Sequence, residues 1–166
     1  MTGTAPPATV SGPHGLAAHA GSFTPGFTVI VDGRVNRVLG RIIAVDHVET
    51  WLECLLDQDG ERRWLAVEAP TGVVRYTVWQ RDTAELAGFC PDEATLHATK
   101  LSTTEQGTAT YSASGRFDPF VIPDAGLLDY VEFTYRGGRV AAARFHTAQP
   151  WLVGVGTGAP VTVSFA

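Results

Sequence analysis

Charge is scarce in this chain of 166 residues: 17% are Asp, Glu, Lys or Arg, and the formal net charge is −5. A net-negative surface lacks the basic footprint that nucleic acid or an anionic membrane face requires, so a nucleic-acid partner is not expected. Lysine is nearly absent, one against eleven arginines, which reads as a base-composition bias and not as a site. No apolar run is long enough to span a bilayer. The first residues have no basic start followed by an apolar core, so no secretory signal is expected. The two cysteines, Cys54 and Cys90, lie far apart and form no C-x-x-C pair. That excludes a disulfide framework, and Cys54, inside an apolar run, reads as a small buried hydrophobe. Free thiols and no signal give a cytoplasmic expectation. Helix-period patterns longer than about two turns are also missing, which removes the helical classes.

What remains is a strand-forming chain, 45% apolar, long enough to bury one core of ordinary size. Residues 1–21 are Gly, Ala, Pro, Thr and His with little to bury, and a loose tail is expected there. His14 and His19 lie in it without a nearby carboxylate or thiol, too few ligands for a metal. Phe27–Val31 and Val35–Val45 flank Asp32-Gly33, a two-residue hairpin that pairs Val31 with Arg34 and Val29 with Asn36. Gly40 marks a bulge or bend in the second strand. Val73–Gln80 alternates, with Tyr76 and Val78 on one face and Thr77 and Trp79 on the other.

The central stretch is Thr50–Glu68, apolar on both faces and therefore covered on both. Its turn has two readings. Asp57 to Gly60 as a type I turn with a G1 bulge, the favoured one, sets Cys54 opposite Trp64. Asp59-Gly60 as a two-residue turn sets Leu55 there and moves Trp64 to the face of Trp51, Glu53 and Leu55. Residues 22–80 thus form an N-terminal meander. Residues 81–93 form a joint, with one helical turn capped by Asp82 and Glu85. Residues 94–166 form a second meander. In it Thr95–Leu101 and Thr104–Ser112 meet across a Ser102-Thr103 turn, and Gly137-Gly138 makes a hairpin that sets Asp129 opposite His146. The expected fold is all-β: two consecutive antiparallel meanders, barrel-like (SH3-like or a related small barrel), packed into one compact unit.

Several segments resemble one family. Pro25-Gly26-Phe27, then Val38-Leu39-Gly40-Arg41-Ile42, then Trp51-Leu52-Glu53 with Leu55-Leu56 and Arg63-Trp64-Leu65, follow its strand signatures. Gln106-Gly107-Thr108-Ala109, Gly115-Arg116-Phe117, Asp129-Tyr130 and Arg144-Phe145 continue them. On these residues the chain resembles the bacterial domain-of-unknown-function family 4178. Cys54 stands where the family usually has an aromatic, and Phe145-His146 stands near its usual Glu-Arg. The resemblance implies no catalytic residue and no cofactor. It implies an accessory role, with members often encoded beside membrane-stress proteins.

Four constellations are weighed for chemistry. Trp51, Glu53 and Trp64 read first as core tryptophans with Glu53 paired to an arginine. They read second as an aromatic-walled groove with a carboxylate for a cationic or planar ligand. Asp129 and His146 read as a surface ion pair, or as half of a general-base arrangement with no nucleophile motif beside it. His47, Glu49 and Glu53 alternate like metal ligands, but the expected turn at 46–49 breaks their alignment. Gly154-x-Gly156-x-Gly158 lacks the helix and lysine of a phosphate loop. The functional expectation is a non-catalytic adaptor that binds another protein, with peripheral membrane association open to it. The alternatives are a small-molecule-binding β-barrel using the Trp51/Trp64 region and an enzyme built on Asp129 and His146.

Overall fold

Two-residue turns set the frame of the molecule. The computed structural model describes residues 16, 19–83, 94–147, 150–156 and 161–166. Strand β1 (Thr28–Val31) meets β2 (Arg34–Val45) through Asp32-Gly33, whose φ angles are 48° and 76°. Both are left-handed, the geometry whose twist matches that of the strands, and the register is the expected one, Val31 with Arg34 and Val29 with Asn36. Strand β3 (Thr50–Gln58) meets β4 (Glu61–Glu68) through Asp59-Gly60, with φ 53° and 88°. This overturns the G1-bulge register: Leu55, and not Cys54, lies opposite Trp64. Asp tolerates the left-handed region, so the shorter turn needs no bulge. The remaining strands are β5 (Arg75–Asp82), β6 (Thr95–Leu96), β7 (Thr99–Lys100), β8 (Ser102–Gly115), β9 (Ala125–Tyr135), β10 (Gly138–Phe145), β11 (Leu152–Gly156) and β12 (Val163–Phe165).

Two expectations in the second half are corrected. The turn in the 95–112 region is His97-Ala98, both left-handed, and Ser102-Thr103 begins β8. The β9–β10 turn is Arg136-Gly137, so Asp129 stands opposite Arg144, not His146. Gly138 serves packing and not the turn: a Cβ there would come within 2.5 Å of the Gly156 carbonyl oxygen on β11. Arg81 and the expected helix cap Asp82 belong instead to β5, paired with Gly154 and Val153 of β11, and the rest of the helical turn expected in the joint lies outside the described residues from position 84 onward.

Ten of the strands form one antiparallel sheet in the order β12-β1-β2-β3-β4-β5-β11-β10-β9-β8, and β6 and β7 pair as a separate hairpin. Strand β8 then pairs with β2, from Gly40 with Gly115 to Val45 with Thr110, and closes eight strands into a barrel. The fold is therefore all-β and barrel-like, with the two meanders contributing to one closed barrel. Strand β2 serves twice. Arg34–Arg37 pairs with β1, and Gly40–Val45 pairs with β8 after a register shift between Val38 and Gly40. That shift is the bend expected at Gly40, where a Cβ would lie 2.6 Å from the Arg116 carbonyl oxygen.

Alternation sends one side chain in two outward. On β3 and β4 the outward set is Leu52, Cys54, Leu56, Leu65 and Val67, covered by Val29 and Val31 of β1 and by Phe23 of a 3-10 turn, Ala20–Phe23. Each fully buried leucine here contributes about 1.5–3 kcal/mol. Leu16 and Ala20 pack into the same layer, and His19 Nε2 lies 3.1 Å from the Tyr76 hydroxyl. The stretch expected to be loose is thus anchored at these residues, while 1–15 and 17–18 lie outside the described residues. A second outer layer joins Val131, Phe133, Val140 and Val153 to Leu96 and Leu101, beneath the β6–β7 hairpin.

Candidate functional site

The inward side chains divide the barrel into two parts. Toward the β3–β4 turn, Ile42, Leu55, Tyr111, Leu128 and Phe145 fill the interior. The β8–β9 connection folds back over that end, where Phe117 stacks on Trp64 with ring centroids 6.1 Å apart and planes 9° apart. Phe120 packs on the same indole at 6.4 Å, and the Arg81 guanidinium lies 4.7 Å from the Phe120 ring centre. Higher up, small residues replace large ones. Ala141 and Ala143 of β10 and Gly154 of β11 line the same space as Trp51, Trp64 and Trp79, and a cavity of about 110 Å³ remains between them. Exposed Glu105 on one side and exposed Arg81 on the other mark its rims.

All three residues of the predicted binding group therefore line one interior space. Trp51 is buried, its ring edge-on to Tyr130 at 5.0 Å, and Trp64 is half-buried. Trp79, Glu68 and Glu132 line it too, with Arg139 bonded to Glu132, and no local sequence signal marks them. The alternation in 73–80 separates Trp79 from Val78 without saying which face is inner. The glycines of β11 have their reason here as well. A Cβ on Gly154 would come 2.9 Å from Trp79 Cβ, and one on Gly156 would come 2.9 Å from the indole ring. Gly154 and Gly156 make room for an indole, while Gly158 lies outside the described residues.

The polar part of the interior is built around a guanidinium. Arg139 donates to Glu132 Oε2 at 2.6 Å and to Thr77 Oγ1 at 2.9 Å. It also stands 3.6 Å from Glu68 Oε1 and 5.1 Å from the Trp79 ring centre. Glu68 in turn accepts two hydrogen bonds from Arg75, at 2.7 and 3.0 Å. Glu53, from β3, points into the same space opposite Ile42 and Ala66. Among the described residues it has no hydrogen bond and no ion pair, so the expected arginine partner is not there. Burial, then the charges of Glu68 and Glu132, push its carboxyl well above the usual range, against a weaker pull from Arg139. The solvent-sized space it touches is the cavity itself.

The rim is acidic. Asp46 Oδ1 accepts from the Val48 and Glu49 amides at 2.7 and 2.8 Å, and its Oδ2 accepts from the Tyr130 hydroxyl at 2.5 Å. Glu49 is pushed up to about 7 by desolvation and by Glu105, Glu68 and Asp46. Of the predicted alternating trio, Glu49 and Glu53 line the cavity, and His47 is exposed on the turn.

Asp129 and His146 do meet, despite the corrected register. Asp129 Oδ1 lies 2.9 Å from His146 Nε2 and accepts from Thr108 Oγ1 at 2.8 Å, and Oδ2 accepts from Arg144 at 2.9 Å. Against a desolvation cost, the His146, Arg144 and Thr108 hydrogen bonds lower Asp129 to about 2. The carboxylate sits between hydroxyl and imidazole, whereas a nucleophile relay needs the imidazole in the middle. The cluster is half-exposed and reads as a surface network. Cys54 is fully buried in the outer layer, and burial pushes its thiol up, so it is unreactive. His14 lies outside the described residues.

Residues 24–157 match the family described as Domain of unknown function (DUF4178). No curated protein and no solved structure matches the chain.

Proposed function

We propose that this chain, which belongs to the DUF4178 family, is a ligand-binding barrel whose site is the interior bounded by Trp51, Trp64, Trp79 and Glu53. One observation carries the reading: a cavity of about 110 Å³ inside a closed eight-stranded barrel, walled by three tryptophans. Barrels of eight strands have interiors filled by side chains or just wide enough for one small ligand. Here the small side chains of Ala141 and Ala143 opposite the indoles support the second. A cavity of ~150 Å³ takes benzene, so this one takes a ligand of that order or a few waters. Mostly apolar walls with a few convergent polar groups are what a small-molecule site requires.

The accessory role expected for the family, on a protein partner and in a membrane-stress-associated system, then takes the form of a ligand sensor. A cytoplasmic location belongs to the same reading, supported by the free, buried Cys54. Among the described residues no helix is long and apolar enough to cross a membrane.

The test is a fragment screen by protein-observed NMR. Hits are expected to shift the indole N–H signals of Trp51, Trp64 and Trp79 and to leave Trp151 in place. Ala141→Leu, which extends a side chain into the cavity, is expected to abolish those shifts while the protein stays folded. Hits that persist in Ala141→Leu, or that move only surface signals, would overturn the reading.

A further inference from the structure

Resting on the interior as the binding site, we infer that its ligand is an organic cation: an ammonium or amidinium group on a small apolar body, held by Glu53 between Trp51 and Trp64. The barrel already binds one such group. Arg139 is fixed by two carboxylates, a hydroxyl and an indole face, through the contacts at 2.6, 2.9, 3.6 and 5.1 Å. Glu53, Trp51 and Trp64 present the same chemistry on neighbouring strands, and the one guanidinium that also lines this cavity among the described residues, Arg81, lies over Phe120 and makes no ion pair with Glu53.

The charge count agrees. Three carboxylates, Glu53, Glu68 and Glu132, face two guanidiniums, Arg139 and Arg75, and the ion pairs go to Glu68 and Glu132. Glu53 is left without an ion pair among the described residues, and only the weaker pull of Arg139 reaches it. A second feature points to a ligand independently of the acids. Trp79, only 3% exposed, has an indole Nε1 with no hydrogen-bond partner among the described residues. A buried donor of this kind calls for an acceptor, which a cation carrying one oxygen, or its accompanying water, supplies. An indole face and a desolvated carboxylate together select for positive charge. The acidic rim of Asp46, Glu49 and Glu105 raises the local concentration of cations and repels anions.

The occupancy of Glu53 by a proton and by the ligand's cation are mutually exclusive. The ionisable groups around it are Glu68 from β4, Arg75 from β5, Glu132 from β9 and Arg139 from β10, with Glu49, Glu105 and Tyr130 at one rim and Arg81 of β5 at the other. Burial and the charges of Glu68 and Glu132 raise its carboxyl and so favour the proton-bound form over an empty carboxylate. Binding therefore releases a proton, and affinity rises with pH.

The test compares benzylamine with benzyl alcohol, its neutral counterpart of the same shape, by calorimetry on the full chain. Benzylamine is expected to bind roughly ten- to a hundredfold more tightly, the size of one charge-assisted hydrogen bond, with tightening from pH 6 to pH 8. Glu53→Gln is expected to remove that advantage and leave the alcohol unchanged, and Ala141→Leu to abolish both. Equal affinities, or an advantage that survives Glu53→Gln, would overturn the cation assignment. The interior reading would then still stand if Ala141→Leu abolished binding. If neither compound binds wild-type protein, both the interior reading and this inference fall.

Discussion

Replacing Glu53 by glutamine removes one proton-binding site from the interior and changes the shape of the side chain very little. The free carboxyl titrates near 4.5, and in the folded protein burial and the neighbouring Glu68 and Glu132 hold it well above that. Below 4.5 the folded and unfolded chains both carry the proton, and the site contributes its full stability. As pH rises, the unfolded chain gives up the proton and the folded chain keeps it. Stability then falls by up to about 1.4 kcal/mol per pH unit until the folded carboxyl itself ionises. The glutamine of the variant has no proton to give, so its contribution is flat. The difference between variant and wild type should grow between pH 5 and pH 7 by at most about 2.8 kcal/mol, or roughly 5–10 °C in melting temperature for a chain of this size. Glu49 falls along with Glu53 in wild type, but Glu53 is not among the groups that shift it, so its share cancels. Urea midpoints of both proteins at pH 5, 6, 7 and 8 read the difference directly. A pH-independent difference, or a variant less stable than wild type at pH 8, would show Glu53 ionised and compensated in the native state and refute the reasoning.

Trp64→Ala should leave the Phe117 and Phe120 rings without their platform and cost about 3 kcal/mol, the low end for a tryptophan because one side already faces the cavity; an unchanged urea midpoint would contradict this. His19 is held below its usual 6.5 by burial, so stability present above 6.5 should decline as pH falls through the folded value. His19→Gln should flatten that decline between pH 7 and pH 5, and parallel melting curves would count against it. Asp129, at about 2 in the fold against 3.8 free, contributes above 3.8 and loses that contribution as pH falls toward 2. Being half-exposed, the cluster should cost less than about 0.5 kcal/mol at pH 7 in Asp129→Asn, and a larger loss by chemical denaturation would give it a structural role not described above.

The local parts of this fold could be read from residues, and the global parts could not. Asp32-Gly33 dictated its hairpin and register because both residues accept the left-handed region. In the central hairpin one residue of turn length decided which face carries Trp64, and Asp57 offered a plausible longer turn. At Gly137-Gly138 the second glycine answered to β11 and not to the turn, a demand visible only once β10 and β11 are side by side. The shift there moved the pairing by two residues, which kept every side chain on its face and let Asp129 still reach His146. Trp51, Glu53 and Trp64 were singled out from their own strands. Their companions Trp79, Glu132 and Arg139 come from β5, β9 and β10, and Glu68 from the far end of β4; only closure of the barrel gathers them. That no arginine pairs with Glu53 among the described residues belongs to the same class: no local pattern says where Arg139 and Arg75 spend their hydrogen bonds.

The barrel has two seams, β5 against β11 and β2 against β8, each joining parts of the chain far apart in sequence. On the ribosome the first meander emerges alone, carrying Glu53 and Glu68, while Glu132 and Arg139 are still unmade. Until residues 102–115 arrive, Gly40–Val45 presents the bare apolar edge Gly-Arg-Ile-Ile-Ala-Val, a template for pairing with another nascent chain. Long-range pairing is also the slow part of β-folding. The intervals before synthesis of β8 and of β11, while the edges of β2 and β5 wait for their partners, are therefore when this protein is most exposed to misassembly.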